Sequence, residues 1–405
     1  MSNTIHTVTA EPKLWTKSFM IMTMSNFLLS LNLLMITPSL PAYVADTYQA
    51  GSLTVSLVVS LFALSAIVTR LFAGRSFERF KPMTFLWIGL AIYSLSTGAY
   101  GIVPSLLLFM GVRIIYGIGF GMTSTAVGTL VTRVIPPLRM GEGMGFFGLA
   151  NSLAMALGPI VGLWLLGQFG YQTLIVTAFI LVIIVFPLLL NLKSSEPVGS
   201  PKPTKSGSSG PWMDRKALLP CLLNWLMTIT YGGILTFITM FGKEAGIGNV
   251  GMFFLFNALA ILVVRIFSGK LYDRFGHLAI VPAGCVLFGT GLLLLSWSHS
   301  TSMLIMAACV YGLGYGALQP ALQAWTVQRV AVERRAAATG AFYNSVDLGV
   351  AVGSLLLGAV ATMTNYAMMY RISALSAICM LLVYGGYLWK TRRVSAVNSD
   401  ESVSA

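Results

Sequence analysis

Charged residues are scarce in this chain, and their scarcity excludes the soluble protein classes. Only 9% of its 405 residues are charged, whereas 56% are hydrophobic. A water-soluble globular chain carries about 25% charged residues, so this chain could not cover a surface that faces water. Long apolar stretches recur along it, each close to the ~20 residues that a helix needs to cross a ~30 Å hydrocarbon core. The composition therefore predicts a polytopic protein of a lipid bilayer.

Metal-binding and nucleotide-binding patterns are also missing. The chain has only four Cys and three His, and none of them shows the short spacing that metal ligands need. It has no G-x-x-x-x-G-K-[ST] loop, which argues against energy from ATP hydrolysis. No set of catalytic side chains falls within the apolar stretches. The sequence therefore predicts no cofactor, no metal site and no enzyme.

The apolar stretches are predicted to be helices, because a segment in lipid must satisfy its own backbone hydrogen bonds. The ~10-residue alternation typical of barrel strands is not seen in the sequence. The first stretch has no small-residue cleavage site behind it, so we interpret it as a retained helix and not as a signal peptide. Twelve spans are predicted, with approximate bounds 15–44, 52–73, 83–103, 105–132, 141–167, 172–192, 216–242, 249–270, 278–297, 302–330, 337–361 and 366–389.

A polar stretch divides these spans into six and six. Its composition, rich in Ser, Pro, Gly and Lys, is typical of a flexible linker. The predicted organisation is a tail at 1–14, a first six-helix half at 15–192, the linker at 193–214, a second half at 215–390 and a tail at 391–405. Lys and Arg concentrate on the side that holds both tails, which predicts that this side is cytoplasmic. The net charge of +13 is then explained by contact with the anionic leaflet, and no nucleic-acid partner is predicted.

The two predicted halves repeat each other. The stretch VTRLFAGRSFERF at 68–80 returns as VVRIFSGKLYDRF at 263–275, so that Arg70 matches Arg265 at an offset of 265 − 70 = 195 residues. The same offset relates YGIGFG at 116–121 to YGLGYG at 311–316. Two parallel six-helix repeats are typical of transporters that bind their substrate between the halves, near the middle of the membrane. We therefore predict an all-α membrane protein with twelve transmembrane helices in two pseudo-symmetric halves.

The repeated stretches resemble the G-x-x-x-D-R-x-G motif of the major facilitator superfamily. The second copy fits in full, whereas in the first Glu78 replaces Asp and Lys81 stands in place of the last Gly. The resemblance implies the major facilitator fold, with this cluster locking the cytoplasmic side in one conformation. The gating residues that it implies are Gly74, Glu78 and Arg79 in the first copy and Gly269, Asp273, Arg274 and Gly276 in the second.

Two further motifs resemble those of proton-coupled members of this superfamily. RIIYGIGFG, which begins at Arg113, resembles R-x-x-x-G-x-G, in which the Arg takes part in proton coupling. A cation in a lipid-embedded segment costs roughly 2.5 kcal/mol or more unless it is paired, and Ala308 at the matching position shows that the fold does not require it. The fifth predicted span resembles the antiporter motif G-x8-G-x3-G-P-x2-G through Gly145, Ala154, Gly158, Pro159 and Gly162, with Ala154 in place of one Gly.

Only two of the twelve acidic residues fall in or at the mouth of a predicted span where they could carry protons. Asp347 lies about ten residues, or roughly 15 Å, from the inner end of span 11, near the middle of the bilayer. A carboxyl group there is stabilised by taking up a proton, which predicts a proton carrier. Glu142 lies at the cytoplasmic mouth of span 5. The structural alternative for Asp347 is a hydrogen-bonded carboxylate that only supports packing.

Several polar and aromatic side chains fall at the depth of a midplane site. Each alone could form a helix–helix hydrogen bond, but as a set they are typical of a mixed polar and apolar cavity for an amphiphilic molecule. The predicted cavity residues are Asn26, Asn32, Tyr231, Asn257, Gln319, Gln323, Trp325, Tyr343 and Asn344.

Together these features predict a proton-coupled exporter of a small amphiphilic organic molecule, similar to the bacterial drug:proton antiporters with twelve spans. The resemblance implies alternating access in a bacterial inner membrane, protons and a small molecule as partners, and a monomer. Three alternatives stay open at this point: export of a metallophore, proton-coupled import of a sugar or other nutrient, and a membrane sensor or scaffold without transport. The intramembrane charges and the shared motifs argue against the last.

Overall fold

The computed structural model describes residues 13–76, 82–136, 139–192, 215–331 and 335–403. This part of the chain contains ten helices and no strand. In chain order they are α1 (Lys17–Tyr48), α2 (Ser52–Ser76), α3 (Pro82–Ala99), α4 (Leu106–Val134), α5 (Met140–Leu190), α6 (Leu218–Glu244), α7 (Gly251–Ser296), α8 (Thr301–Gln328), α9 (Arg335–Met363) and α10 (Tyr366–Val403).

Two of these helices are each broken at one glycine. Gly170 in α5 has φ 81° and ψ 178°, and Gly276 in α7 has φ 65° and ψ −161°. Only glycine adopts such angles without strain, so the chain reverses there without a loop. The breaks divide the ten helices into twelve segments, which confirms the predicted number of spans.

Length and hydropathy alone identify nine stretches of the described residues that could cross a membrane. Gly170 divides one of them, Glu142–Leu190, into two segments. The remaining segments are α3, with 18 residues, and the first part of α7, whose apolar core Gly251–Arg265 is shorter. The chain is therefore an all-α, multi-span membrane protein.

The helices pack in two groups with the same pattern. In the first, α1 contacts α5 and α4 contacts both α2 and α3, while in the second α6 contacts α9 and α8 contacts α7. The two groups meet where α2 lies against α9, where α5 lies against α7 and where α1 lies against α6. Under the offset of 195 residues α2–α9 and α7–α5 are the same contact, so the interface is pseudo-symmetric.

The repeat extends to individual contacts between helices. A β-carbon on Gly117 in α4 would come within 2.6 Å of the carbonyl oxygen of Phe62 in α2. A β-carbon on Gly312 in α8 would come within 2.6 Å of the carbonyl oxygen of Asn257 in α7. Both members of the second pair lie 195 residues after the first. Small residues allow such close approach of helices, so the repeated YGxGxG stretches encode the same helix crossing twice.

A network of hydrogen bonds in the core of the first half is centred on one amide side chain. Asn32 Oδ1 accepts hydrogen bonds from the hydroxyls of Tyr93 (2.7 Å) and Tyr116 (2.8 Å), and its Nδ2 donates to the carbonyl oxygen of Ala178 (2.7 Å). All of these side-chain groups are buried. The position that matches Asn32 in the second half is Met227. The first half is therefore held together by a buried hydrogen-bond network around Asn32 that the apolar Met227 cannot repeat. The second half uses other polar contacts, such as that of the buried Asn224, whose Nδ2 donates to Ser345 Oγ (2.8 Å).

Candidate functional site

A cavity of about 700 Å³ lies between the two groups of helices. Its walls come from α5, α7, α8 and α9. It lies toward the end of the bundle that carries both chain termini, which is called the terminus end below. Two lining residues show this: Met144 is four residues from the start of α5, and Tyr272 is four residues before the break in α7. Its volume is within the ~300–1,000 Å³ typical of sites for small molecules. The described lining residues are Met144, Gly148, Leu149, Asn151, Met155, Arg265, Ser268, Tyr272, Gln319, Pro320, Ala321, Gln323, Ala324, Tyr343 and Val346.

A second, much smaller pocket continues this cavity toward the middle of the membrane. It shares Met155 and Arg265 with the larger cavity and adds Tyr231 of α6 and Asn257 of α7. Both added residues are almost fully buried, with 5% exposure each. Arg265 therefore stands at the junction of the two pockets, between the wide part of the site and its deep end.

Five of the nine predicted cavity residues line these two pockets. Tyr231 and Asn257 line the deep pocket, and Gln319, Gln323 and Tyr343 line the larger cavity. The carboxamide of Gln319 accepts a hydrogen bond from Arg265 Nη2 through its Oε1 (3.5 Å). Gln323 Nε2 donates to the hydroxyl of Tyr343 (3.3 Å). These contacts fix the orientation of polar groups on the wall formed by α8 and α9.

The other four predicted cavity residues lie elsewhere. Asn26 is one layer behind the wall, where its Nδ2 donates to Oδ1 of the lining residue Asn151 (3.0 Å). Asn344 lies on α9 outside the lining set. Asn32 belongs to the buried network of the first half, and Trp325 stacks on His277 inside the second half with ring centroids 4.1 Å apart. Whether a side chain faces the cavity depends on its position around the helix axis. A helix that is apolar on all sides has no sequence pattern from which that position can be predicted.

Asp347, the predicted proton carrier, forms an ion pair with Arg70 across the two halves. Arg70 Nη1 donates to Asp347 Oδ2, which joins α2 to α9. The two side chains are 22% and 28% exposed, so water reaches the pair only partly. Nearby on the same two helices, the hydroxyls of Ser60 and Ser354 are 2.7 Å apart. The only acidic residue predicted near the midplane is therefore part of the contact between the halves.

Arg113 is fully buried in the first half, at 0% exposure. Its Nε donates to the carbonyl oxygen of Val58 (2.5 Å) and its Nη1 to the hydroxyl of Tyr100 (3.5 Å), while Nη2 has no hydrogen-bond partner in the described part of the chain. Its guanidinium carbon lies 4.8 Å from the ring centroid of Phe62. No carboxylate of the described residues pairs with it, so aromatic faces and neutral oxygens alone stabilise this charge.

Glu142, the second predicted acid, lies outside the core. It forms an ion pair with Arg139, three residues earlier, at 2.8 Å, and its side chain is 43% exposed. The pair sits at the first turn of α5, near the rim of the cavity. Its exposure is typical of a surface ion pair that contributes ~0–1 kcal/mol.

The predicted gating residues that the structure describes lie near the end of α2 and near the break in α7. Gly74 is near the end of α2, and Gly269, Asp273 and Arg274 lie in the last turns of α7 before the break at Gly276. Arg274 is exposed, with its guanidinium 5.1 Å from the ring centroid of Phe275. Glu78 and Arg79 fall outside the described residues, as does the linker at 193–214.

The predicted antiporter motif lies on the face of α5 that packs against α1. Ala154, Gly158 and Pro159 are buried, and Gly145 lies in the second turn of the helix. A β-carbon on Gly158 would come within 2.7 Å of the β-carbon of Leu34, and one on Gly162 would collide with the carbonyl group of Met35. The motif therefore permits a close contact within the first half and does not itself line the cavity.

At the opposite end of the bundle, called the far end below, polar contacts hold the two halves together. Lys243 Nζ at the end of α6 lies 2.5 Å and 2.6 Å from the two carboxylate oxygens of Asp46 in α1. The hydroxyls of Ser52 in α2 and Tyr366 in α10 are 3.1 Å apart, and within the second half the backbone N–H of Tyr366 donates to Glu244 Oε2 (3.3 Å). The described helices of the two halves are therefore joined at the far end and separated by a cavity at the terminus end.

The family model of the Major Facilitator Superfamily matches residues 22–281 and, in a second match, residues 221–403. The chain belongs to this superfamily. It is accordingly a transporter and not an enzyme, and a small molecule is its cargo. The family match agrees with the fold and the repeat described above, which confirms the resemblance seen in the motifs.

Relatives of this major facilitator cover nearly its full length. An uncharacterised MFS-type transporter of Methanocaldococcus jannaschii is 26% identical over 378 residues, which is 91% of this chain and 97% of the relative. The staphylopine export protein of Staphylococcus aureus is 20% identical over 346 residues, or 82% of this chain and 87% of the relative.

Solved structures share the fold at low identity. The nucleoside transporter NupG superposes with a TM-score of 0.71 at 14% identity, and the match covers 91% of this chain and 99% of NupG. A POT family transporter in complex with a thioalcohol-conjugated peptide has a TM-score of 0.77, also at 14% identity, with coverage of 92% and 96%. At this identity the likeness shows the fold alone.

Sequence reasoning missed three residues of this site. Arg265 was identified as the repeat partner of Arg70 but not as a lining residue, and Asn151 and Arg70 were not identified as site residues. Arg265 could have been found by the rule that singled out Arg113, since both are charges within apolar spans. The contact between Arg70 and Asp347 joins residues that are 277 positions apart, and no local pattern reveals it.

Proposed function

We propose that this major facilitator is a proton-coupled exporter of a small amphiphilic organic molecule, working by alternating access. The ion pair between Arg70 and Asp347 is the observation that carries the proposal, because it connects a titratable group to the contact between the halves. The proposal takes the terminus end as cytoplasmic, since Lys and Arg concentrate there. It also takes the protein to act as a monomer in a bacterial inner membrane.

The pair makes protonation and movement of the halves depend on each other. A proton on Asp347 cancels the carboxylate charge, so Arg70 no longer has an ionic reason to hold α9 against α2. Removing one partner of a buried pair costs about 3–5 kcal/mol, and the partial exposure of this pair favours the low end of that range. Moving a two-state equilibrium from 1:99 to 99:1 needs ~5.5 kcal/mol. One proton at this position can therefore supply a large part of the shift between conformations.

In the proposed cycle, Asp347 takes a proton from outside and releases it on the cytoplasmic side, where substrate enters the cavity. Arg113 has a separate role, because it contacts neither Asp347 nor the cavity. Its uncompensated charge raises the cost of any second positive charge nearby, which keeps protons out of the core of the first half. The gating residues Gly74, Glu78, Arg79, Gly269, Asp273, Arg274 and Gly276 are proposed to hold the terminus end closed in the opposite state. Glu142, exposed and paired with Arg139, is assigned no proton.

Export is favoured over import by two observations of different kinds. The motif from Gly145 to Gly162 resembles that of antiporters, and the staphylopine export protein is a relative over most of the chain. The second supports export of a staphylopine-like metallophore as a narrower candidate. Import of a nutrient by the same proton-driven cycle is the competing hypothesis, and the direction of flux separates the two.

The test begins with a compound that cells carrying the gene accumulate less than cells without it. Purified protein is then reconstituted in proteoliposomes, and uptake of that compound is followed with and without an imposed pH gradient. We expect the wild type to concentrate the compound against its gradient. Asp347→Asn should still exchange it downhill but lose concentrative uptake, because the amide keeps the shape of the side chain and cannot take part in the charge change.

The matched control is Glu142→Gln, the same acid-to-amide change at an exposed acid, which should transport like the wild type. Concentrative transport by the Asp347→Asn protein would show that Asp347 is structural and would overturn the proposal. Uptake in the direction of the proton gradient by the wild type would replace export with import.

A further inference from the structure

The charge of the cavity lining has a consequence for the kind of molecule that can occupy it. Of the described residues that line the two pockets, only Arg265 is charged. The carboxylate of Asp347 is held by Arg70 and does not line either pocket. The charge that the described lining residues present to the site is therefore positive, which draws in negative groups and disfavours organic cations.

Neighbouring polar groups turn hydrogen-bond donors toward the same space. Arg265 can only donate, so its contact with Gln319 at 3.5 Å must use the oxygen of that amide, which leaves the NH₂ group for other partners. Asn151 is oriented in the same way, because its Oδ1 accepts from Asn26 Nδ2 (3.0 Å) and from the hydroxyl of Ser30 (2.6 Å). Two amide NH₂ groups are therefore available in the cavity that Arg265 lines.

The deep pocket adds a third amide. The Oδ1 atom of Asn257 lies against Gly312, 2.9 Å from where a β-carbon would be. This placement turns the amide nitrogen toward the pocket that Asn257 shares with Arg265. An amide NH₂ group can only donate, so the deep end presents a donor and suits an acceptor group of a ligand.

We propose, on the basis of the proposed transport function, that the substrate is an organic anion. In this assignment a carboxylate of the substrate binds Arg265 between the amides of Gln319, Asn151 and Asn257. The apolar body of the molecule then lies along the methionine and leucine side chains of α5, Met144, Leu149 and Met155. Arginine suits this role because its planar donor fork matches the two oxygens of a carboxylate.

The matching arginine of the first half explains why the site is one-sided. Arg70 has the same position in the repeat as Arg265, but it faces Asp347 on α9. The residue that matches Asp347 is Ser152 on α5, since 347 − 195 = 152. One arginine of the repeated pair thus forms an ion pair with an acid of the protein itself, whereas the sequence has a serine at the position that would match this acid for the other. Arg70 therefore belongs to the contact between the halves, and Arg265, which lines both pockets, is the arginine that we assign to the substrate.

The test uses two fluorescent probes with the same ring system and opposite charge. Fluorescein is an anion near neutral pH, and rhodamine methyl ester is a cation. Their binding to the purified full-length protein in nanodiscs is followed by fluorescence anisotropy, with no pH gradient. We expect the wild type to bind fluorescein at least about tenfold more tightly than the rhodamine ester, since a charge-assisted hydrogen bond contributes roughly that factor.

Variants of Arg265 locate the source of that preference. Arg265→Gln should weaken fluorescein binding by about tenfold and abolish the preference, while Arg265→Lys should retain part of it because the charge remains. Arg329→Gln is the control, because Arg329 lies over Trp325 in the second half and does not line the cavity. It should bind both probes like the wild type.

Three results would overturn the assignment: equal binding of the two probes by the wild type, a preference for the cation, or an unchanged preference in Arg265→Gln. The readout is independent of proton coupling, since binding is measured at equilibrium without a gradient. A failure of the Asp347→Asn experiment therefore leaves this result interpretable, and the reverse also holds.

Discussion

Arg113 in the first half and Ala308 in the second occupy matching positions of one repeated frame, and both are fully buried. The backbone contacts around them agree closely, as Gly117 and Gly312 show. The positive charge of Arg113, by contrast, is not repeated at Ala308. The same is true of Asp347, whose counterpart is Ser152, and of Asn32, whose counterpart is Met227. The repeated positions build the fold, and the unrepeated polar ones distinguish the tasks of the two halves.

Even the repeated packing contains one reversal. In the first half Gly162 on α5 provides the space that α1 fills with Met35, while in the second half the residue matching Gly162 is Leu357 on α9. There the space is on the other helix, at Gly233 of α6, against which Leu357 packs. The same close helix contact is thus reached with the small residue on either partner, so a motif defined by glycine positions in one half need not reappear in the other.

The largest expected effect comes from substituting Gly158 and Gly353, which occupy matching positions of the repeat at the contacts of α5 with α1 and of α9 with α6. Gly158→Ala would push a methyl group to within 2.7 Å of Leu34, and Gly353→Ala would bring one to 2.6 Å from the Cα of Ile229. Each should destabilise the protein by about 3 kcal/mol or more, because backbone atoms must move to relieve the contact. Thermal unfolding of the purified variants measures the effect. Gly167→Ala in α5, where no neighbour lies within 4 Å, is the matched control, and a comparable loss there would refute the packing argument.

A smaller effect on stability but a large one on transport is expected from Arg113→Met. The change removes a buried cation without a carboxylate partner among the described residues and keeps most of the volume, so the melting temperature should stay near that of the wild type or rise. Proton-driven transport in proteoliposomes should fall at least about tenfold, in line with the usual cost of a lost coupling charge. Arg113→Ala separates the two contributions, since it also leaves a cavity and should unfold earlier. A strongly destabilised methionine variant would mean that the charge serves the fold.

The smallest effect concerns the ion pair between Asp46 and Lys243 at the far end. Both side chains are more than half exposed, at 58% and 62%, so the pair contributes ~0.2–1 kcal/mol. Lys243→Asp should shift the population toward a state open at the far end by a few-fold, and the double exchange Lys243→Asp with Asp46→Lys should reverse the shift. Spin labels at Gly51→Cys and Gly248→Cys, where no neighbour lies within 4 Å, measure the distance between the halves. A double exchange that behaves like the single variant would show that the pair is not a latch.

Much of the fold could be predicted from the sequence, because membrane helices must be long, apolar and separated by polar breaks. The twelve segments come directly from these constraints, and the offset of 195 residues comes from the repeated motifs. What could not be predicted is that the breaks at Gly170 and Gly276 need only one residue each. A glycine between two apolar runs has the same pattern whether the helix bends, reverses or continues.

The candidate site was predicted less completely, and for a different reason. Depth along a helix follows from residue count, and for this reason the sequence can place Gln319, Gln323 and Tyr343 at the depth where the structure has a cavity. The direction of a side chain follows from helical phase, which an amphipathic pattern would reveal and a helix that is apolar on all sides does not. The structure places the side chains of Asn32 and Trp325 inside their own halves and not on the cavity wall, where it places Arg265 instead.

The ion pair between Arg70 and Asp347 also has an electrical consequence under the proposed function. With its carboxylate ionised the pair is neutral, and with a proton on Asp347 the same place carries one positive charge. A charge that crosses the full membrane field exchanges ~2.3 kcal/mol for every 100 mV. The transporter with a proton on Asp347 and the transporter without it therefore respond differently to voltage. A cell with an inside-negative potential can then drive the cycle even when the pH is equal on both sides of the membrane.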